Sequence, residues 1–240
     1  MPPFVGQLSL FPFTFAPQGW IFCDGRLLSI AENDVLFTRL RNIFGGDGES
    51  SFGVPDLRAI APKNCQYCIS LFGNYEPDVY QLLIGQTMIS AFSLNTRGLL
   101  ECAGQPLSTA QYRPLETLMG TRFGGDGTNN FNLPDLRSKA PAKCSYMMAV
   151  QGLFPGPRIE GLFVGEFLLL PYEVDFSKSL RLCNGDLLQI AQNRALFSLL
   201  GNRFGGDGKQ TFALPDLRAV APSKFNYYIC VQDGVLPPPS

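Results

Sequence analysis

The sequence contains no histidine. That excludes histidine-based nucleophile triads, HExxH zinc sites, histidine-ligated haem and the commonest general base. Charge is scarce as well: 16% of residues are Asp, Glu, Lys or Arg, against about 25% in an ordinary soluble protein. The net charge of −1 gives no basic field for nucleic acid or an anionic membrane, and no strong acidic field either. It also leaves little electrostatic resistance to self-association. Long hydrophobic runs are missing. The most apolar stretch, Leu162 to Leu170, carries Glu166 and stops at Pro171, well short of a membrane span. No Lys or Arg precedes Arg26, so the basic region of a secretory signal is lacking, and Pro2, Pro3, Pro12 and Pro17 break any helix there. Neither nucleic acid binding nor membrane insertion is expected.

What is abundant is turn chemistry and aromatic surface. Gly 25 and Pro 19 make a turn-rich chain, still below the level of a disordered low-complexity segment. Aromatic residues reach 12%. Some fill a core, and with so few charges others are expected in contacts between subunits. Seven cysteines are an odd number in a chain too long to need a disulfide framework. Cys23, Cys102 and Cys183 occupy equivalent places, as do Cys65 and Cys144, with Phe225 in the third copy. Replacement by Phe points to buried apolar positions rather than ligands. The Cys65-x-x-Cys68 spacing, in a segment that reads as strand, would turn the two thiols to opposite faces.

Internal repetition organises everything else. GGDG occurs at Gly45–Gly48, Gly124–Gly127 and Gly205–Gly208, and each is followed by PDLR at Pro55–Arg58, Pro134–Arg137 and Pro215–Arg218. Upstream lie VGQLSLFPF, IGQTMISAF and VGEFLLLPY, and downstream each PDLR leads to an Ala-Pro. The chain therefore divides into modules 1–75, 76–155 and 156–240, joined by turn-rich linkers at Gly73–Val79 and Gly152–Gly161. Each module reads as an opening strand, a second short strand, a Gly turn, a short helix, the GGDG loop, an extended piece through PDLR and a closing strand. The helix is clearest in copy three, where Asn193 is the N-cap, RALFSLL the body and Gly201 the stop. Copy one reads VLFTRLRNIF from Asn33, with Arg41 at the stop position, and copy two has Pro114 in the first turn. The fold class is α+β and β-rich. One such module is marginal alone, so the three are expected to close around a pseudo-threefold axis with a shared core.

These strings, together with Ala16-Pro17, Gly19-Trp20 and Cys23-Asp24-Gly25, make the chain resemble the phage tail collar domain family, which includes microcystin-dependent bacterial proteins. Copy two departs in its first half, with Ala103 and Pro106. The resemblance implies a β-rich module, trimeric assembly, a place in tail fibres or related surface structures, and no catalytic residues. Fusion of three copies implies that one polypeptide stands in for a homotrimer.

Candidate sites follow the repeat. A glycine turn beside Asp47, Asp126 or Asp207 has the residue types to bind calcium or cradle a phosphate. However, no Lys-Ser/Thr follows as in a P-loop, and no row of alternating Asp as in an EF-hand. The preferred reading is a tight turn whose Asp accepts local amide hydrogen bonds, with these three aspartates the only metal candidates. In PDLR, the pairs Asp56–Arg58, Asp135–Arg137 and Asp216–Arg218 lie on one face if extended, as structural braces for the GGDG loop or a neighbouring copy. No cofactor is implied. The resulting expectation is a non-enzymatic structural subunit of an extracellular fibre or tail-like assembly. Its partners would be further copies of itself or other fibre subunits, met through apolar surfaces and terminal arms, outside the cell or on a virion. The alternative is an adhesive tip module recognising surface glycans. A polysaccharide-cleaving enzyme ranks last, because no carboxylate pair stands in a distinctively apolar setting.

Overall fold

In the computed structural model, residues 3–238 are described except 93, 95, 157–161 and 175–177. Each copy uses the same order of elements. Copy one has β1 (Leu8–Phe11), β2 (Trp20–Phe22), β3 (Leu27–Ser29), α1 (Asp34–Leu40), β4 (Ser51–Gly53) and β5 (Gln66–Ser70). Copy two repeats it as β6 (Thr87–Ser90), β7 (Leu99–Glu101), β8 (Pro106–Ser108), α2 (Arg113–Met119), β9 (Asn130–Asn132) and β10 (Ser145–Ala149). Copy three follows with β11 (Phe167–Leu170), β12 (Leu180–Leu182), β13 (Leu187–Gln189), α3 (Arg194–Leu200), β14 (Thr211–Ala213) and β15 (Asn226–Cys230).

The closing strand lies in the middle of each copy's three strands, and β6 pairs with β11 to join copies two and three into one six-stranded sheet, β12-β15-β11-β6-β10-β7. The closing strand pairs antiparallel with the opening strand on one side and the second strand on the other, in the orders β1-β5-β2, β6-β10-β7 and β11-β15-β12. A strand covered on both faces should be apolar throughout rather than alternating. Tyr67 to Ser70, Tyr146 to Ala149 and Tyr227 to Cys230 are accordingly all buried. A separate hairpin, β3-β4, β8-β9 or β13-β14, carries the GGDG loop. The helix lies beside it and turns Leu36 and Leu40, Leu115 and Met119, or Leu196 and Leu200 inward. Between helix and hairpin sit Phe52, Phe131 and Phe212, each without exposed surface.

Local sequence sets the helix ends. Gly120 and Gly201 stop α2 and α3 with φ near 55° and 57°. Arg41 does the same for α1 at φ 49°, a conformation that strains a residue with a Cβ. The helix accordingly ends at Leu40, with Arg41 at the stop position. In copy three, Leu199 is only partly buried beside Leu196 and Leu200. Cys65 lies just before β5 rather than inside it, so an alternation argument does not apply to Cys65 and Cys68.

One continuous cluster of buried apolar side chains runs through all three copies, and a second, smaller one gathers Val79, Leu82, Leu94, Leu99, Met147 and Ala149 of copy two with Phe4 of copy one. Three opening strands, β1, β6 and β11, lie against one another. Two further contacts are each made three times in one cyclic sense. Phe13 of copy one covers Gly165 of copy three, Phe92 of copy two covers Gly6 of copy one, and Tyr172 of copy three covers Gly85 of copy two. A Cβ at these glycines would meet the covering ring at 2.7, 2.6 and 2.5 Å, so close approach requires their bareness. Likewise the Asn64 side chain donates to the Arg203 carbonyl, Lys143 to that of Ile43 and Lys224 to that of Arg122.

Both chain ends are engaged with the body. Phe4 bridges Asn74 in parallel, as Leu83 does Leu153 and Phe163 does Val235. Each copy therefore enters and leaves side by side. Past Val235 the chain crosses to copy one, where the Gln18 N–H donates to the Pro238 carbonyl at 2.9 Å. The expectation of docked arms falls outside the described residues for Met1, Pro2, Pro239 and Ser240, and so does the Pro157–Gly161 part of the second linker.

Candidate functional site

Each GGDG aspartate folds back on its own loop. Asp47 Oδ1 accepts from the backbone N–H of Glu49, Ser50 and Ser51 at 2.9, 2.9 and 2.8 Å, and Oδ2 from the Ser50 hydroxyl at 2.7 Å. Asp126 accepts from the N–H groups of Thr128, Asn129 and Asn130, and Asp207 from those of Lys209, Gln210 and Thr211. The Ser50 hydroxyl first, then these amides, hold the Asp47 carboxyl far below the usual carboxylate range. Backbone amides hold Asp126 and Asp207 down to about 2. Donors surround the carboxylates here, whereas calcium takes a shell of lone-pair oxygens. Among the described residues, no group of three or more His, Cys, Asp or Glu side chains could hold a metal ion.

The PDLR pairs close on themselves. Arg58 Nε and Nη2 donate to Asp56 at 2.9 and 2.6 Å, Arg137 to Asp135 at 3.0 and 2.6 Å, and Arg218 to Asp216 at 2.9 and 2.7 Å. All six side chains are exposed. Each Asp also accepts from the Arg backbone N–H two residues on, so the pair fixes its own turn. The thiols are apolar packing: all seven are free and all but half-buried Cys144 are buried. Burial pushes Cys65, Cys68, Cys102 and Cys230 up to about 12, which suppresses the nucleophilic thiolate.

The groups that come together across copies are ones the motifs did not single out. Each opening string starts with a tight turn, Phe4–Gln7, Leu83–Gln86 or Phe163–Glu166, in which the last N–H donates to the first carbonyl. Glycine supplies the positive φ at the third position, 83°, 85° and 84°. The last side chain then accepts from the first N–H: Gln7 from Phe4 at 3.3 Å, Gln86 from Leu83 at 3.1 Å and Glu166 from Phe163 at 3.0 Å. Gln7, Gln86 and Glu166 line the same two cavities, one shared with Trp20 and Asp78, the other with Tyr67, Tyr146 and Tyr227. Burial raises both the Tyr67 and the Tyr227 hydroxyl above the ordinary tyrosine value. Burial raises the Glu166 carboxyl to about 7, against the pull of the Phe163 N–H.

A signal for this centre was present in the sequence. VGQ, IGQ and VGE align in the repeat, and Glu166 interrupts the most apolar stretch of the chain.

The family described as Phage Tail Collar Domain matches the chain three times, over residues 6–62, 85–141 and 169–222. No curated protein and no solved structure matches it.

Proposed function

The chain belongs to the phage tail collar domain family, and from that membership we propose that it is a non-enzymatic structural subunit of a phage tail fibre or related tail-like appendage. One polypeptide here takes the place of a trimer. The modules 1–75, 76–155 and 156–240 form a ring about a pseudo-threefold axis, with Gln7, Gln86 and Glu166 at its centre. The observation that carries this reading is the closed cycle of contacts, in which copy one touches three, two touches one and three touches two. Three separate beads would leave such a cycle open.

Further assembly draws on apolar surface and on the terminal arms, of which Phe4 and Val235–Pro238 lie against the body of the chain. The residue after each parallel bridge, Tyr75, Phe154 or Leu236, is half exposed, and Leu27 and Leu187 protrude from the outer hairpins. A low-charge protein with apolar groups at both places favours stacking on further copies or on other tail subunits. Electron microscopy of the purified full-length chain at rising concentration tests both parts. The expected images are compact three-lobed particles that add head to tail. Three detached lobes would overturn the ring, and single particles at every concentration would overturn the stacking.

A further inference from the structure

The boundary between copies two and three opens into a groove of about 520 Å³, within the range of small-molecule sites. Copy two contributes Phe123, Pro134, Asp135 and Lys139 to its wall, and copy three Pro222 and Lys224. The charges in it do not balance. Both Asp135 oxygens are taken by Arg137, through Nε, Nη2 and the backbone N–H. Lys139 has no ion-pair or hydrogen-bond partner among the described residues. Lys224 Nζ donates to the Arg122 carbonyl at 2.6 Å, a neutral partner that leaves its charge uncancelled. Both lysines are exposed.

The other two boundaries lack this pair. Between copies one and two, Lys143 lines a groove of about 420 Å³, but Ile60 holds the place of Lys139. Between copies three and one, Val220 and Asn64 hold the two places. Two ammonium groups with no free carboxylate call for an anion. Lysine acts as a point charge suited to a phosphoryl group, whereas a planar carboxylate is matched by an arginine fork, and no arginine lines the groove. The remaining wall selects the body that carries the anion. Phe123 is its one aromatic ring, and that ring is already engaged by Phe225 at 5.6 Å between centroids and by Lys224 Nζ at 5.6 Å. A flat base therefore has nothing to stack on, while Pro134, Pro222 and the Ser223 hydroxyl suit the CH and OH groups of a saturated sugar ring.

We propose that this groove binds a phosphorylated sugar, its phosphoryl group between Lys139 and Lys224 and its ring against Pro134 and Pro222. The site goes beyond the structural role, which stands with or without it. The test is calorimetry and ligand-observed NMR on the full chain with glucose 6-phosphate, glucose, inorganic phosphate and adenosine monophosphate. Glucose 6-phosphate is expected to bind once per chain, at least about 5-fold more tightly than inorganic phosphate through the apolar wall, and less tightly as salt rises. Adenosine monophosphate should bind no more tightly than the sugar phosphate, and glucose should not bind. Lys139→Ile, which installs the residue of copy one, is expected to weaken binding about 10-fold, while Lys63→Ala leaves it unchanged. Ile60→Lys supplies the missing ammonium group at the boundary of copies one and two and is expected to add a second site. Inorganic phosphate binding as tightly as the sugar phosphate would leave only a bare anion site, and tighter adenosine monophosphate a nucleotide site; either overturns the proposal. So does an unchanged affinity in Lys139→Ile, an unchanged stoichiometry in Ile60→Lys, or no binding up to about 10 mM. The comparison of ligands needs no variant to fold.

Discussion

The GGDG loops and the centre of the molecule obey opposite rules. The loops keep the same four residues in every copy, yet they are exposed and touch little beyond themselves. The centre is buried and shared, yet its equivalent positions hold Gln, Gln and Glu. Each loop is a backbone problem that every copy must solve alone, with three amides to satisfy and glycines at positive φ. The centre exists once per molecule, and because its three contributors are separate positions of one chain they can differ.

The largest expected effect comes from the loop backbone. Gly46 has φ 89°, and a Cβ there would meet Phe52 Cα and Ser51 O, both at 2.5 Å. Gly125 and Gly206 meet Phe131 and Phe212 in the same way. Both obstacles are backbone and cannot swing aside. Gly46→Ala should therefore lower unfolding free energy by about 3 kcal/mol, read by urea denaturation. A neutral result would mean the loops tolerate another geometry, and the contrast with the centre would fail.

At the centre the expectation is a pH dependence with a definite sign. The Glu166 carboxyl stands at about 7 in the folded chain, above its ordinary 4.5, mainly through burial. Between those two values the folded chain holds a proton that the unfolded chain has lost. Stability is thus full below the ordinary value, falls as pH rises, and levels off above about 7. The neighbouring Cys230 thiol, pushed up to about 12 by burial, stays neutral throughout this window. Glu166→Gln restores the amide that the other two copies carry. It should stabilise the chain at pH 9 by about 3 kcal/mol and change little at pH 4. Equal melting temperatures for the two proteins at pH 9 would show the carboxylate to be well solvated.

What the sequence made legible, and what it hid, divides along the same line. The repeat, the helix stops at Arg41 and Gly201 and the loop aspartates are local features, written in contiguous residues whose spacing has a direct physical meaning. Contacts between copies have no local signature. Asn64 and Arg203 lie 139 positions apart, and nothing near either names the other. Lys143 and Lys224 belong to no motif, yet their ammonium groups meet carbonyls of the preceding copy. Glu166 was visible, but in an apolar stretch a single carboxylate reads as an interruption until its structural equivalents, two glutamines, are known. PDLR was half legible: the spacing gave the Asp–Arg pair, while its closure within one turn depends on backbone curvature that spacing alone does not carry.

Removing a loop carboxylate should matter less than straining the loop, and equally in each copy. Asp126→Ala leaves three N–H groups to water and is expected to lower the melting temperature by about 2 °C, as is Asp207→Ala. Because backbone amides hold both carboxyls down to about 2, their contribution is complete at neutral pH and fades only as pH falls toward that value. Unequal effects in thermal scans would show that one loop is used by something beyond its own copy.

The smallest effect is reserved for the PDLR arginines. Arg58, Arg137 and Arg218 make short double hydrogen bonds, yet their side chains are 71%, 62% and 64% exposed. In open solvent such a pair exchanges one set of hydrogen bonds for another and is screened by salt. The Asp still accepts the backbone N–H of the following turn when the guanidinium is gone. Arg58→Ala should therefore shift the melting temperature by less than about 1 °C, with no salt dependence beyond that of the parent. A larger shift would mean that the guanidinium reaches a neighbour in solution, and PDLR would then belong with the contacts between copies rather than with the self-contained loops.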